Sequence, residues 1–123
     1  MSGNRLLLDT NTVLYLLAGD KTLAEFLNGK KLYISIITEI ELLAFKDITA
    51  KDMIILKTFI DELQVEYIND EIKRITIEIR KSTKLKLPDC IIAATSVALG
   101  IPLFSADKAL KTVRNLDLII YEK

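Results

Sequence analysis

The chain is 123 residues long, enough for one domain with a single core and too short for two. Half of its residues are apolar, the formal net charge is zero, and there is one cysteine and no histidine. These figures exclude an internal disulfide, a zinc site built on cysteine or imidazole, and the Ser-His-Asp and Cys-His nucleophile pairs.

The apolar run Leu6-Leu7-Leu8 predicts a buried first strand over Arg5–Leu8. Met1-Ser2-Gly3-Asn4-Arg5 leads directly into it, and no apolar run approaches a membrane span. A cytoplasmic location, with no signal peptide and no membrane contact, is therefore expected. After the polar residues Asp9, Thr10 and Asn11, helices are predicted over Thr10–Leu17 and Lys21–Leu27. A strand follows at 32–35, helices at 36–46 and 50–63, a strand at 64–67, and helices at 70–83 and 89–99. Gly100 and Pro102 stop the last of these and lead into a strand at 102–104. A helix at 106–113 and a strand at 116–121 complete the chain. Short strands alternating with helices predict an α/β domain on a parallel sheet, with 1–123 forming one unit. The stretch 90–99 carries no charge and is apolar on most faces, which predicts a buried helix with Asp89 at its mouth.

Four acids, Asp9, Glu41, Asp89 and Asp107, fall where a helix opens or a strand ends. The carboxyl ends of the strands in an open parallel sheet face the crevice where ligands bind. Each acid also has a purely structural explanation. Asp9 could be an N-cap; Asp89, after Pro88, and Asp107, two residues past Ser105, could be early-turn acids that meet the positive end of a helix dipole. Thr38-Glu39-Ile40-Glu41 matches a capping box. If Ser35 is the cap instead, Glu41 lies on the apolar stripe, one turn past Ile37 and one turn before Phe45, whereas Glu39 falls off it. A carboxylate aimed at the core side needs a compensating partner, and a metal ion is one.

The rest of the chain narrows the chemistry. Cys90 sits on an apolar helix with no base in reach of its sequence and reads as core. Gly3, Gly19, Gly29 and Gly100 are scattered, so no phosphate-binding glycine loop exists. Carboxylates, hydroxyls and lysines remain, and oxygen-only ligands favour Mg²⁺ or Mn²⁺. Charge is also unevenly spread: residues 1–72 hold 7 Lys/Arg against 12 Asp/Glu, and residues 73–123 hold 10 against 5. That polarity either presents a basic surface to a polyanion or reflects ordinary solvated helix faces.

The segments Leu8-Asp9-Thr10-Asn11, Ser35-Ile36-Ile37-Thr38-Glu39-Ile40-Glu41-Leu42, Leu87-Pro88-Asp89-Cys90-Ile91-Ile92-Ala93-Ala94-Thr95 and Leu103-Phe104-Ser105-Ala106-Asp107 resemble the successive motifs of PIN domains. The nearest likeness is to VapC-type toxins of bacterial toxin–antitoxin pairs, and it covers essentially the whole chain. The resemblance implies a flavodoxin-like three-layer α/β/α sandwich with a central parallel sheet. It also implies a Mg²⁺- or Mn²⁺-dependent ribonuclease with an acidic quartet on Asp9, Glu41, Asp89 and Asp107. Asp9, Asp89 and Asp107 would be direct or water-mediated metal ligands; Glu41 would be a ligand or would orient the attacking water. Thr10, Asn11 and Ser105 match supporting polar positions, Ser105 standing where threonine is usual. Leu110 stands where many relatives have phenylalanine, and Ala109 where another acid is common, so the last motif offers Asp107 alone.

The implied reaction is hydrolysis of an RNA phosphodiester, with a metal acidifying water and stabilising the leaving oxygen. Lys84 and Lys86, in the basic run before Asp89, are expected to touch substrate phosphates unless they only complement the preceding helix end. The helix at 50–63 carries a broad apolar stripe of Met53, Ile54, Ile55, Leu56, Phe59, Ile60 and Leu63, suited to a partner helix or to simple burial. The resemblance adds a homodimer and a cognate antitoxin whose arginine could pair with the acids. The competing enzyme reading is a phosphatase of the haloacid dehalogenase type with Asp9 as nucleophile, although Asn11 stands where its acid/base aspartate is needed. A receiver domain lacks its paired acids here, and an inactive binding module keeps the fold without the activity.

Overall fold

A computed structural model describes residues 4–122. The expectation about a leader sequence rests partly on Met1–Gly3 and so lies outside the described residues. In chain order the elements are β1 (Arg5–Leu8), α1 (Thr10–Leu17), α2 (Lys21–Leu27), β2 (Lys31–Ser35), α3 (Ile36–Leu43), α4 (Ala50–Asp61), β3 (Gln64–Glu66), α5 (Asp70–Ser82), α6 (Leu87–Leu99), β4 (Leu103–Ser105), a 3-10 helix (Lys108–Thr112) and β5 (Leu118–Ile120). The five strands are all parallel, in the order β3-β2-β1-β4-β5. Parallel neighbours cannot be joined by hairpins, so every connection carries helix over a face of the sheet.

Side chains alternate across each strand, and that alternation builds two cores. Leu7, Tyr33 and Leu103 pack with Ile72, Ile79, Cys90, Ile92 and Ala93 of α5 and α6. Leu6, Leu8, Ile34 and Phe104 pack on the other face with Val13, Leu23, Leu27, Leu42, Leu56 and Ile60, from α1 to α4. The result is the predicted α/β/α sandwich. In α6, Cys90 through Ser96 are all buried. Its hydroxyls are satisfied within the helix and its exit: Thr95 donates to the Ile91 carbonyl at 2.7 Å and Ser96 to the Ile101 carbonyl at 2.6 Å. Gly100, at φ 68°, ends the helix in the left-handed conformation that a side chain disfavours.

Several predicted elements are shorter than the sequence pattern suggests, α4 and β5 among them, and two of these bear on the site. α3 stops at Leu43 with Ala44 as its cap, so Phe45 lies beyond the helix and is 47% exposed. The chain must turn there to reach the Thr49 cap of α4, and the apolar stripe cannot continue. The segment 106–113 forms only the 3-10 helix Lys108–Thr112, because Asp107 caps it and Val113 is already extended. Among the described residues no helix is long and apolar enough to cross a membrane.

Candidate active site

β1 is the strand from which the sheet grows both ways: β2 pairs on one side and β4 on the other. Such a switch in strand order opens a crevice at the carboxyl ends of the two strands that flank it. Asp9 follows β1 at this point and serves as the N-cap of α1. Its Oδ1 accepts from the Thr12 amide at 2.9 Å and the Thr12 hydroxyl at 2.6 Å, and its Oδ2 accepts from the hydroxyl of Ser105. Asp9 is 8% exposed, so hydrogen bonds to both oxygens offset much of the cost of burying the charge. The structural explanation for Asp9 is therefore correct, and it does not displace the functional one.

Ser105 ends β4, in register with the end of β1, where Leu8 pairs with Phe104. Its oxygen accepts from the Asp107 amide at 2.9 Å, and Oδ1 of Asp107 accepts from the Ala109 amide at 2.9 Å. A continuous line of hydrogen bonds thus fixes Asp107 relative to Asp9 across the switch point. Asp107 itself is exposed.

Glu41 arrives on α3. Ser35 caps that helix through the Ile37 amide at 3.1 Å, which puts Thr38 inside the helix; a capping box at Thr38 does not form. Glu41 is half-buried. Its Oε1 accepts from the Thr10 hydroxyl at 2.6 Å, and the Thr38 hydroxyl lies 3.2 Å from that of Thr10. The compensating partner expected for Glu41 includes a hydroxyl from α1.

Asp89 is the third residue of α6, behind Leu87 and Pro88, and Lys86 occupies the cap position without a side-chain cap bond. Burial pushes the Asp89 carboxyl above its ordinary range, and the charges of Asp107, Glu41 and Asp9 push it further the same way. Lys86 acts in the opposite sense. The charges of three acids from widely separated parts of the chain therefore reach Asp89. All four line one open cleft of about 430 Å³ together with Thr10, Asn11, Leu14, Phe45 and Ile92.

Among the described residues, the ion pairs are Lys73–Asp70 and Arg74–Glu78, both at 3.8 Å on exposed helix faces. None neutralises the cluster. Nor are three acidic side chains, among the described residues, gathered tightly enough to hold an ion by themselves. The donors are all oxygen, as Mg²⁺ and Mn²⁺ require, and an ion that keeps several waters needs only a few direct carboxylates. The residues present fit such an ion bound partly through water.

Lys84 and Lys86 are exposed, and Lys86 is near enough to Asp89 to affect its charge. At the end of α5, the hydroxyls of Ser82 and Thr83 bond the Glu78 and Ile79 carbonyls at 3.0 and 2.9 Å. Cys90 is fully buried and its thiol is pushed up by that burial, as expected for core. Sequence reasoning missed Thr12 and Thr38. Thr12 is wholly buried and also lies 3.2 Å from the Phe104 carbonyl, tying Asp9 to β4. A hydroxyl three residues after a capping acid was a usable signal for it.

The family model of the PIN domain matches residues 6–116. Among curated proteins, none matches the chain. Several solved structures are similar over nearly their full length. A chain of a toxin–antitoxin complex from Klebsiella pneumoniae is 25% identical with a TM-score of 0.80, over 96% of this chain and 99% of that one. A chain of VapBC2 from Rickettsia felis, bound to a DNA fragment from its promoter, is 19% identical with a TM-score of 0.86 over the same shares. A chain of VapBC-1 from nontypeable Haemophilus influenzae is 22% identical with a TM-score of 0.78, over 94% of this chain and 97% of that one.

Proposed function

The chain belongs to the PIN domain family, and from that membership we propose that it is a divalent-metal-dependent endoribonuclease acting as the toxin of a toxin–antitoxin pair. The observation that carries this reading is the convergence of Asp9, Glu41, Asp89 and Asp107 on one cleft at the switch point of the sheet. Like charges held together in a protein are destabilising in themselves, and a cation that neutralises them restores what is lost. Mg²⁺ or Mn²⁺ would be held by Asp9, Asp89 and Asp107, with Glu41 as a further ligand or as the group that orients the attacking water. When bound, the ion acidifies a water and stabilises the charge that develops on the scissile phosphate and its leaving oxygen.

The chain's own residues do the positioning. Asp9 is anchored on both oxygens and cannot swing. Thr10 aims Glu41 into the cleft, and Ser105 spaces Asp107 from Asp9. Asn11, exposed on the same wall, offers an amide to substrate. Lys84 and Lys86 attract and seat the phosphates of RNA entering beside Asp89. The same anchoring disfavours Asp9 as a phosphatase nucleophile, since both of its oxygens are engaged and the side chain is buried. In this reading the domain acts in the cytoplasm.

Toxin function supplies a partner. The similar chain from Klebsiella pneumoniae belongs to a toxin–antitoxin complex, and those from Rickettsia felis and Haemophilus influenzae to VapBC2 and VapBC-1. Here a groove of about 300 Å³ between α1, α3 and α4 adjoins the acidic cleft, and Leu14 and Phe45 line both. Ile55 and Ile54 of α4 are 50% and 67% exposed on or near it, which suits the apolar face of an antitoxin helix. An antitoxin arginine reaching the acids would take the place of the ion. The domain acts as a homodimer in this reading. Thermal unfolding with and without Mn²⁺ tests the metal site: saturating ion should raise the melting temperature of the wild type. Saturation at about a hundred times the Kd is worth about 2.7 kcal/mol. Asp89→Asn should lose most of that gain, and an equal response in both proteins would contradict the assignment.

A further inference from the structure

We propose that Phe45 is a nucleobase platform: its ring stacks on a base of single-stranded RNA whose phosphate lies at the acidic cluster. This inference rests on the ribonuclease reading and adds the group that holds the substrate's base.

The described residues include all four phenylalanines and all four tyrosines of the chain, and among them Phe45 alone lines the acidic cleft. It stands one residue past the Ala44 cap of α3 and four past Glu41, and it is 47% exposed. The other ring contacts, Phe26 with Phe104 and Phe104 with Tyr121, lie elsewhere, as do the lysines over Phe26 and Tyr33. Among the described residues, no ring or cation covers the Phe45 face. A large apolar ring left half in water next to a carboxylate cluster loses stability without a packing gain.

The chemistry of the cleft selects the occupant. Leu14 and Ile92 are its other apolar linings, and the remainder is acid, hydroxyl or amide. A purely apolar group seated there would bury the polar lining without partners. A nucleobase presents an apolar π-face to the ring and polar edges to the rest of the cleft, so it satisfies both. Stacking tolerates any base, because every base has a π-face. The groove side of the same residue, toward Ile48 and Ile55, is apolar. An inhibitor helix docked in that groove would touch the same residue.

The chain has no tryptophan, so Phe45→Trp places a single indole at the platform. It would be titrated with short random-sequence single-stranded RNA in Ca²⁺, alongside dye-labelled RNA anisotropy for wild type, Phe45→Ala and Phe45→Leu. Expected are quenching of the indole at saturation, Phe45→Trp affinity within a few-fold of wild type, and about tenfold weaker binding for both Ala and Leu. Leucine keeps the apolar bulk and removes the π-face, so its loss separates stacking from simple packing. If wild type binds RNA and the Leu variant binds equally well, or the indole emission does not change at saturation, Phe45 is not a platform and the ribonuclease reading stands. If wild type binds no RNA at all, the ribonuclease reading fails and this inference fails with it.

Discussion

The hydroxyl of Thr10, the first residue of α1, donates to Oε1 of Glu41 on α3 across 2.6 Å. This bond joins two walls of the cleft and makes the orientation of one acid depend on the residue that follows another. Thr10→Val keeps shape and removes the donor, which leaves a half-buried carboxylate short of a partner. A stability loss of about 1–3 kcal/mol is expected. RNA cleavage should fall about 10- to 100-fold, as when groups supporting a metal site are removed. Thr10→Ser should restore both in denaturant titration and cleavage assays. Full activity in the valine variant would show that Glu41 needs no such guide.

The acids should differ in what they do for the metal-free fold. Asp9 is a buried cap, so Asp9→Ala should cost about 1–2 kcal/mol. Asp89 makes no cap bond, and its carboxyl is raised by burial and by the charges of Asp107, Glu41 and Asp9. A folded-state pKa above the ordinary 3.8 means that folding favours the protonated form. Its contribution to stability is complete below 3.8 and is lost as pH rises through the raised value. Asp89→Asn should therefore be more stable than wild type at neutral pH in chelator, with the difference closing as pH falls to 3.8 and below. Melting curves across that range decide, and a neutral-pH loss in Asp89→Asn would contradict the cluster.

Lys86 opposes the cluster's effect on Asp89 from the mouth of α6. Lys86→Ala should weaken RNA binding and make the dependence of affinity on salt shallower, by about 0.7 in log-log slope for one lost single-strand phosphate contact. Affinity measured at several salt concentrations reads this. An unchanged slope and affinity would reduce Lys86 to a surface charge.

Ile55 is half exposed on α4 and lines the groove beside the cleft. Ile55→Glu should change stability by about 0.5 kcal/mol or less, spare cleavage, and weaken the antitoxin about tenfold or more. Co-expression with a cognate antitoxin would test it. Growth arrest relieved by the partner in wild type, and persisting with Ile55→Glu, is the expected outcome. Rescue of the variant as complete as that of wild type would move the partner elsewhere.

The local pattern carried much of this architecture. β1, α1 and α2 fall on the predicted residues because an apolar run, a capping acid and an amphipathic stretch are read within a few neighbours. The positions of three acids were also legible, since Asp9, Asp89 and Asp107 sit at a strand end or helix mouth; Glu41 lies inside α3 and was marked only by its place on the apolar stripe. What was not legible depends on distant partners. Ser105 and Asp9 are 96 positions apart, and the approach of Thr12 to the Phe104 carbonyl of β4 spans 92. The pattern through Phe45 suggested a helix that continues, whereas the turn toward α4 ends α3 at Leu43 and leaves the ring at the lip of the cleft. The breadth of the α4 stripe was legible as well: Leu56 and Ile60 are buried while Ile54 and Ile55 are not.

The central claim is that the acidic cleft cleaves RNA with a divalent ion. Purified protein should be incubated with single-stranded RNA in Mg²⁺, in Mn²⁺ and in excess chelator, with Asp89→Asn under the same conditions. The account predicts internal cleavage by the wild type in either ion, none in chelator, and at least about a hundredfold loss in the variant. Cleavage that persists in chelator, or an Asp89→Asn protein as active as wild type, would contradict it.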